Sequence, residues 1–265
     1  MPPKTYGVDL TSRFRRGRAF SFADGLPVLL YHKVGRYPAG APVKSQYVSP
    51  ALFRAQMAFL HRSGYRAIGS AQVVRYAQGE ALAVERPLAI TFDDGYDCVY
   101  HHALPVLAEF GFTAILFMLA GSVGGVNDWE PNLVTPEPML TADHLAALSR
   151  AGVEIGSHGM THQRLTRLPP AELRGALEDS RKKLEDLAGR EVMALSYPYG
   201  EHNQGVRAAT AEAGYDSGYG TERGVVRVGC DPFSLKRVNI RRYSFLPLFA
   251  RKLRLAYLMP PRVRS

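Results

Sequence analysis

The sequence predicts an α/β protein with a parallel sheet, and two observations support this fold class. Short apolar stretches alternate with helical patterns from residue 26 to about residue 243. The alternation contains neither a repeat of about 20–50 residues nor a low-complexity linker. Such a chain forms an open doubly wound sheet or a (β/α) barrel, and in both the functional side chains lie at the carboxyl ends of the strands.

Seven segments have the length and apolar character of buried strands and are bounded by turn residues. They are Pro27–His32, Leu88–Phe92, Ala114–Leu119, Val153–Gly156, Val192–Tyr197, Tyr215–Gly218 and Leu235–Ile240. We therefore expect a sheet of about seven parallel strands.

The segments between the strands carry helical patterns with recognisable ends. Ser49 and Pro50 form an N-cap and first-turn pair, and Gly64 ends the helix that they begin. Further helices are predicted at about residues 97–110, 141–152, 169–189 and 204–213.

The net charge of +9 lies at the two ends of the chain. Residues 1–20 contribute +4, residues 21–231 contribute −4 and residues 232–265 contribute +9. Nucleic-acid binding would need a basic recognition element or a platform of stacking aromatic residues, and the sequence has neither motif. Basic ends fit an anionic membrane surface or an acidic polymer, and they are equally the pattern of solvated termini.

The hydropathy pattern indicates how the chain can relate to a membrane. No apolar run approaches the roughly 20 residues that cross a bilayer, and the first twenty residues lack the apolar stretch of a signal peptide. We therefore expect a cytoplasmic protein. In the segment Leu246–Leu258, Phe249, Leu253 and Tyr257 share one helical face and the basic residues lie off it. This helix is expected either to dock on the rest of the fold or to hold the protein at an anionic membrane.

Two strand ends carry side chains suited to a metal. Asp93 and Asp94 follow an apolar strand directly, and adjacent residues leaving a strand point in different directions, so one carboxylate can bind a metal while the other faces a substrate. His158 and His162 follow another strand at a spacing that lets both imidazoles reach one Zn²⁺. Asp94 would complete a shell of two histidines and one carboxylate. An ordinary polar turn and chance histidine spacing are the alternatives.

Three further strand ends are weaker candidates. Pro198 and Gly200 make a rigid turn that can aim the backbone N–H of Tyr199 at a developing oxyanion, or that is purely structural. His32 ends the first strand and Arg237 lies in the last one. Alone, each is more typical of a partly buried histidine or an ion-paired arginine than of a catalytic group.

Together these residues resemble the polysaccharide deacetylase family, also called the NodB-homology family. Its first motif, TFDDG, is unaltered at Thr91–Gly95, and its second, H-[ST]-x-x-H, matches His158–His162 except that Gly159 replaces the hydroxyl residue. The two motifs lie about 65 residues apart, PYG follows them, and the resemblance spans roughly residues 26–243.

The resemblance implies a distorted (β/α) barrel, a divalent metal and hydrolysis of acetyl groups, usually N-acetyl, from a carbohydrate. By position, Asp94, His158 and His162 would be the metal ligands, and Asp93 would be the general base that takes a proton from the attacking water. Tyr199 lies where the family's oxyanion-stabilising amide is found. Zn²⁺ suits two imidazoles and a carboxylate, and Co²⁺ and Ni²⁺ fit as well.

The sequence departs from the family pattern at two positions. Ser196 stands where many members have a base-orienting arginine, and the usual C-terminal acid is missing because His202 is the last histidine. Both departures match a permuted branch that includes the poly-β-1,6-N-acetylglucosamine deacetylases, in which an N-terminal Tyr-His supplies the acid. His32, as imidazolium, is then the expected acid for the leaving amine, and Arg237 the expected base-orienting arginine.

The predicted organisation is a basic N-terminal extension at residues 1–25, a catalytic domain at residues 26–243 and a basic C-terminal helix or tail at residues 244–265. The predicted activity is metal-dependent removal of N-acetyl groups from an N-acetylglucosamine-type polysaccharide or glycan intermediate. An O-acetyl esterase and a non-catalytic sugar-binding protein of polysaccharide assembly are the alternatives. The presence of both the metal ligands and the base argues against the non-catalytic one.

Overall fold

A computed structural model describes residues 25–38, 41, 43–129 and 136–258 of the chain. The predicted N-terminal extension, except Gly25, and residues 259–265 of the predicted C-terminal segment lie outside the described residues. Among the described helices, none combines the length and the apolar character that crossing a bilayer requires.

Seven parallel strands close into a barrel. The described strands are β1 (Val28–Tyr31), β2 (Lys33–Val34), β3 (Tyr47–Val48), β4 (Arg66–Ala67), β5 (Pro87–Phe92), β6 (Ile115–Met118), β7 (Glu154–Ser157), β8 (Ala194–Ser196), β9 (Ser217–Arg223) and β10 (Leu235–Asn239). The ring runs β1-β10-β9-β8-β7-β6-β5 and closes where β5 pairs with β1. Strand β4 pairs with the first two residues of β5, and β2 pairs with β3 apart from the ring. The predicted barrel of about seven parallel strands is confirmed.

Helices surround the ring and fill the connections between its strands. They are α1 (Pro50–Arg62), α2 (Ser70–Ala77), α3 (Leu104–Phe110), α4 (Ala142–Arg150), α5 (Pro170–Ala188), α6 (Gln204–Glu212) and α7 (Leu246–Leu258). The predicted caps are present, because Ser49 Oγ accepts the Leu52 N–H and Thr141 Oγ accepts the His144 N–H, each at 3.2 Å. The helix predicted from about residue 97 begins instead with a π-helical turn at Val99–Ala103. Helix α2 was not predicted, since its N-cap is Gly69, which has no side chain to mark the start.

The two faces of a ring strand such as β6 pack into different apolar clusters. Ile115 and Phe117 of β6 belong to one cluster, and Leu116 and Met118 belong to the other, as the two-residue period of a strand requires. The cluster that contains Leu116 and Met118 also holds the buried apolar side chains of α1, α4 and α5, so it lies between the strands and the helices. The cluster that contains Ile115 and Phe117 therefore fills the interior of the ring, which is a packed core.

Helix α2 closes the amino end of the barrel. Its side chains Val73, Tyr76 and Ala77 belong to the interior cluster. At its start, the Ser70 backbone N–H donates a hydrogen bond of 2.8 Å to Glu154, the first residue of β7. With the amino end covered in this way, the side chains at the carboxyl ends of the strands line the open end.

Helix α7 docks on the barrel, which is one of the two alternatives predicted for it. Phe249, Leu253 and Tyr257 are buried, and the Phe249 ring packs edge-on against Phe59 of α1 with centroids 6.0 Å apart. The apolar face that the sequence reveals is therefore occupied by the fold itself. Only the outer surface of the helix can contact a partner.

Candidate metal and catalytic site

Strand β5 ends in a sharp backbone turn that separates two adjacent carboxylates. Asp94 has a positive φ of 75° and Gly95 a φ of 88°. A Cβ atom at Gly95 would lie 2.0 Å from Met118 Sδ, so this position excludes any larger residue. Asp93 and Asp94 are 2% and 3% exposed. The turn directs the two buried carboxylates to different partners, as the sequence predicts.

Asp94, His158 and His162 meet at one point. Asp94 Oδ1 lies 3.2 Å from His158 Nε2 and 3.6 Å from His162 Nε2, and the three ligand atoms all fall within 4.8 Å of one another. His158 Nδ1 donates to the Ser196 carbonyl oxygen at 2.7 Å, since a carbonyl can only accept, and this contact turns Nε2 toward Asp94. Two imidazoles and a carboxylate in this arrangement fit Zn²⁺ or a similar divalent ion with one position left open.

The charges around this group favour ligation. Burial raises the pKa of Asp94. The hydrogen bond to His158 and the charges of the nearby imidazoles lower it by more than burial raises it, so the pKa of Asp94 lies well below the usual range. Burial and the neighbouring charge of His158 lower the pKa of His162 to about 4. Near neutral pH the carboxylate is therefore an anion and the His162 ring is neutral.

Asp93 is held by the buried guanidinium of Arg237. Arg237 Nη1 and Nη2 donate to the two carboxylate oxygens at 2.7 Å each, and Ser196 Oγ donates to Asp93 Oδ2 at 3.0 Å. Arg237 also donates to Thr91 Oγ1 at 3.1 Å, to Ser196 Oγ at 2.9 Å and, through Nε, to the Gly220 carbonyl at 2.8 Å. These contacts use every N–H of the guanidinium. Arg237 thus lies where the sequence analysis expects a base-orienting arginine, and Ser196 shares the contact.

This ion pair sets the protonation of Asp93. Burial raises the pKa of the carboxyl group, and the charge and hydrogen bonds of Arg237 lower it by more. The pKa of Asp93 is therefore below its ordinary value. Asp93 is an anion with a fixed orientation.

His32 lies beside Asp93 because β1 lies between β5 and β10 in the ring. The Asp93 backbone N–H donates to the Tyr31 carbonyl at 3.0 Å, which brings the two strand ends together. The next residue, Lys33, is 1% exposed and donates to Glu137 Oε1 at 2.6 Å. This buried pair anchors the chain directly after His32.

The protonation of His32 differs from the sequence-based expectation. The ring keeps some accessible surface, but the protein around it lowers its pKa by burial, more than Asp94 and Asp93 raise it. Before substrate binds, His32 is therefore a neutral imidazole near pH 7 rather than the expected imidazolium. The sequence could not show this, because the burial of the ring depends on the closed barrel.

Tyr199 lies on the rim of the site in a left-handed turn. Its φ is 60°, and the following Gly200 approaches β9 so closely that a Cβ there would lie 2.6 Å from the Thr221 nitrogen. The Tyr199 ring packs edge-on against His162 with centroids 4.4 Å apart, and the Arg164 guanidinium covers its other side at 4.2 Å. The role of its backbone amide stays a prediction.

Sequence reasoning missed three contributors to the site. Trp129 stacks on the His162 ring with centroids 5.2 Å apart and an interplanar angle of 23°. Arg164 covers Tyr199, and Thr91 links Arg237 to β1 by donating to the Leu29 carbonyl at 2.8 Å. Thr91 lies inside the TFDDG motif and could have been singled out there, whereas no sequence pattern connects Trp129 or Arg164 with the site.

Comparison with known proteins agrees with this geometry. A sequence model described as polysaccharide deacetylase matches residues 83–218, which is just over half of the chain. YxkH of Bacillus subtilis (strain 168), assigned by name to the polysaccharide deacetylases, is 28% identical over 215 residues, or 81% of this chain and 71% of YxkH. The poly-β-1,6-N-acetyl-D-glucosamine N-deacetylase of Staphylococcus aureus (strain MRSA252) is 22% identical over 242 residues, or 84% of this chain and 81% of that protein.

A solved structure shows the same fold. The Streptococcus pyogenes deacetylase PplD, in complex with acetate, superposes with a TM-score of 0.77 at 21% identity, covering 86% of this chain and 97% of PplD. At that identity the likeness concerns the architecture of the barrel alone.

Replacing Arg237 tests the buried ion pair. Arg237→Gln leaves Asp93 buried and unpaired, and we expect it to reduce the free energy of unfolding by about 3–5 kcal/mol. Arg54→Gln, which breaks the exposed pair with Glu109, is the matched control and should cost no more than about 1 kcal/mol. Urea unfolding at neutral pH measures both. Equal losses for the two variants would contradict the assignment of a buried pair.

The wild type and Arg237→Gln also give a pH test. Because the folded-state pKa of Asp93 is lowered, the pair stabilises the fold above the unfolded carboxyl pKa of about 3.9, and this contribution is lost as the pH falls through the folded value. The stability difference between the wild type and Arg237→Gln should therefore narrow in acid. A difference that stays constant from neutral pH to well below pH 3.9 would show that Asp93 is not the group affected.

Proposed function

Because the chain belongs to the polysaccharide deacetylase family, we propose that it hydrolyses N-acetyl groups of a carbohydrate with the help of one divalent metal ion. The observation that carries this proposal is the adjacency of two carboxylates with separate partners. Asp94 groups with His158 and His162, and the adjacent Asp93 accepts hydrogen bonds from Arg237. Metal-assisted hydrolysis of an amide uses both a metal site and an anionic base, and the end of β5 contributes one carboxylate to each.

The permuted arrangement of the site supports a proposal for the substrate class. His32 comes from the first strand and Arg237 from the last, and both strands adjoin each other in the ring. The Staphylococcus aureus relative is named for poly-β-1,6-N-acetyl-D-glucosamine. We therefore propose an N-acetylglucosamine-type polysaccharide or glycan intermediate as substrate.

Asp94, His158 and His162 would hold the metal. Zn²⁺ is the ion proposed, and the same donors accept Co²⁺ or Ni²⁺. Such an ion, when bound, supplies Lewis acidity that polarises the acetyl carbonyl and makes water a stronger nucleophile.

The remaining residues would move one proton and stabilise one charge. Asp93, fixed by Arg237, would take the proton of the attacking water as the tetrahedral oxyanion forms. The Tyr199 backbone N–H would donate to that oxyanion, a contact typically worth about 3–4 kcal/mol. The C–N bond can break only when the departing amine is protonated. Asp93 would pass the proton it has taken to His32, which is neutral before the reaction, and His32, then an imidazolium, would deliver it to the amine.

The first experiment measures acetate release by zinc-loaded and chelator-stripped protein. The substrates are N-acetylglucosamine oligomers of both linkages, chitin fragments and acetylated xylan. We expect metal-dependent release from one N-acetyl class. Asp93→Asn should lower the rate by at least about 100-fold and still bind metal, and His158→Ala should lose both activity and metal. Near-normal activity of Asp93→Asn would remove the base assignment, and release from xylan alone would favour the O-acetyl esterase.

A second experiment tests the role of His32. His32→Ala should slow hydrolysis of N-acetyl substrates far more than hydrolysis of activated acetyl esters, since an activated leaving group departs without a proton. His61→Ala, which removes an exposed histidine on α1, serves as the control and should leave both rates unchanged. Equal losses on amide and ester would show that His32 is structural.

We also propose that the outer surface of α7 meets an anionic membrane. Leu255 and Leu258 of α7 are 41% and 59% exposed, Phe245 directly before the helix is 58% exposed, and Arg251 and Arg254 of the helix are exposed as well. Apolar side chains among basic ones are typical of an interfacial surface. Cytoplasmic location with attachment of this kind remains a proposal.

Vesicle sedimentation tests the membrane proposal. The protein should sediment with vesicles containing anionic lipid and much less with neutral vesicles, and the double variant Phe245→Ser/Leu255→Ser should reduce binding. Truncation before α7 is unsuitable, because it removes the buried Phe249 and disturbs the fold. Equal sedimentation of the wild type and the double variant would end the proposal.

A further inference from the structure

A second group of two histidines and one carboxylate lies outside the candidate active site. Asp97 Oδ2 lies 3.2 Å from His101 Nε2, and Asp97 Oδ1 lies 2.9 Å from His144 Nδ1. One ligand atom from each of the three residues falls within 4.8 Å of the other two. The side chains of Asp97, His101 and His144 are 20%, 53% and 24% exposed, so an ion can reach them from solvent.

Each of the three residues is held by a separate local contact. The Asp97 backbone N–H donates to the Pro138 carbonyl at 3.0 Å, and His101 lies in the π-helical turn that follows. His144 lies in the first turn of α4, and its ring stacks on Tyr100 with centroids 4.2 Å apart and an interplanar angle of 13°. The ligand atoms therefore converge from two chain segments whose backbones are already ordered, which lowers the cost of organising a site.

Two of these atoms lack the partner that buried polar atoms normally have. Asp97 Oδ1 and His144 Nδ1 are both shielded from solvent, and neither has a hydrogen-bond partner among the described residues. They approach each other to 2.9 Å, but the orientation does not form a hydrogen bond. A cation that accepts a lone pair from each atom would satisfy both.

The spacing suits a transition-metal ion. His144 Nδ1 lies 2.9 Å from one oxygen of Asp97 and His101 Nε2 lies 3.2 Å from the other, so the carboxylate would chelate the ion; with metal–ligand bonds of about 2.0–2.2 Å, such separations subtend roughly 85–105°. These angles are accessible to Zn²⁺, Co²⁺ and Ni²⁺, which all bind imidazole nitrogen and carboxylate oxygen. Water from the open side would complete the shell.

We propose that Asp97, His101 and His144 form a second site for Zn²⁺ or a similar divalent ion, separate from the candidate active site. Its donors match those of Asp94, His158 and His162, but its ligands are more exposed, so the ion exchanges more readily. A bound ion would link α4 to residues 97–101, which closely follow Asp93 and Asp94 in the chain.

Zinc content measured by equilibrium dialysis and elemental analysis tests this site. His101→Ala should bind one zinc ion per chain fewer than the wild type. His102→Ala, which removes the adjacent exposed histidine, is the matched control and should bind as many as the wild type. Equal zinc content of His101→Ala and the wild type would overturn the proposal. This comparison does not depend on acetate release or on whether the active-site group holds metal.

A second readout uses a background in which the active-site ligands are incomplete. Zinc should raise the thermal unfolding midpoint of His158→Ala, and the rise should disappear in His158→Ala/His144→Ala but persist in His158→Ala/His102→Ala. In the same background, Co²⁺ should give visible absorption bands that His101→Ala removes. A zinc-induced rise of equal size in all three proteins would also overturn the proposal.

Discussion

The site depends on one interaction, the pairing of a carboxylate with a guanidinium inside the barrel. Arg237 is fully buried, and a buried guanidinium is tolerated only when all its N–H groups have acceptors. Here the acceptors come from the ends of β5 and β8 and the middle of β9, while the arginine comes from β10. Four strands must therefore hold a fixed register for the pair to form. The fixed orientation of the Asp93 carboxylate is a consequence of this shared constraint.

Two neighbouring carboxylates serve different partners because the backbone between them turns sharply. The left-handed conformation at Asp94 and Gly95 costs conformational energy that the surrounding contacts must offset. What it provides is separation: Asp93 faces a permanent cation, and Asp94 faces neutral or titratable rings. A single carboxylate could not hold a metal and also remain free to accept a proton.

The sequence predicted the strands and helices well because their features are local, and the choice of a barrel over an open sheet came from the family resemblance. An apolar run bounded by turns forms a strand wherever it occurs, and Ser49 or Thr141 caps a helix through its own neighbours. Most residues of the site could be named because they follow strand ends, and Arg237, which lies within the last strand, could be named from the family resemblance. What remained hidden requires contact between distant segments. The stacking of Trp129 on His162 and the neutral state of His32 both arise from packing and burial that only the closed ring creates.

Helix α2 has a topological consequence for any ligand. In the part of the chain that the structure describes, a packed core fills the ring and α2 covers its amino end, so one mouth is open and no passage runs through the barrel. A polymer of the kind proposed as substrate would lie across that mouth and could not be threaded, so the site would not require a chain end. A small product must leave by the route through which the chain arrived, and its departure competes with the next encounter.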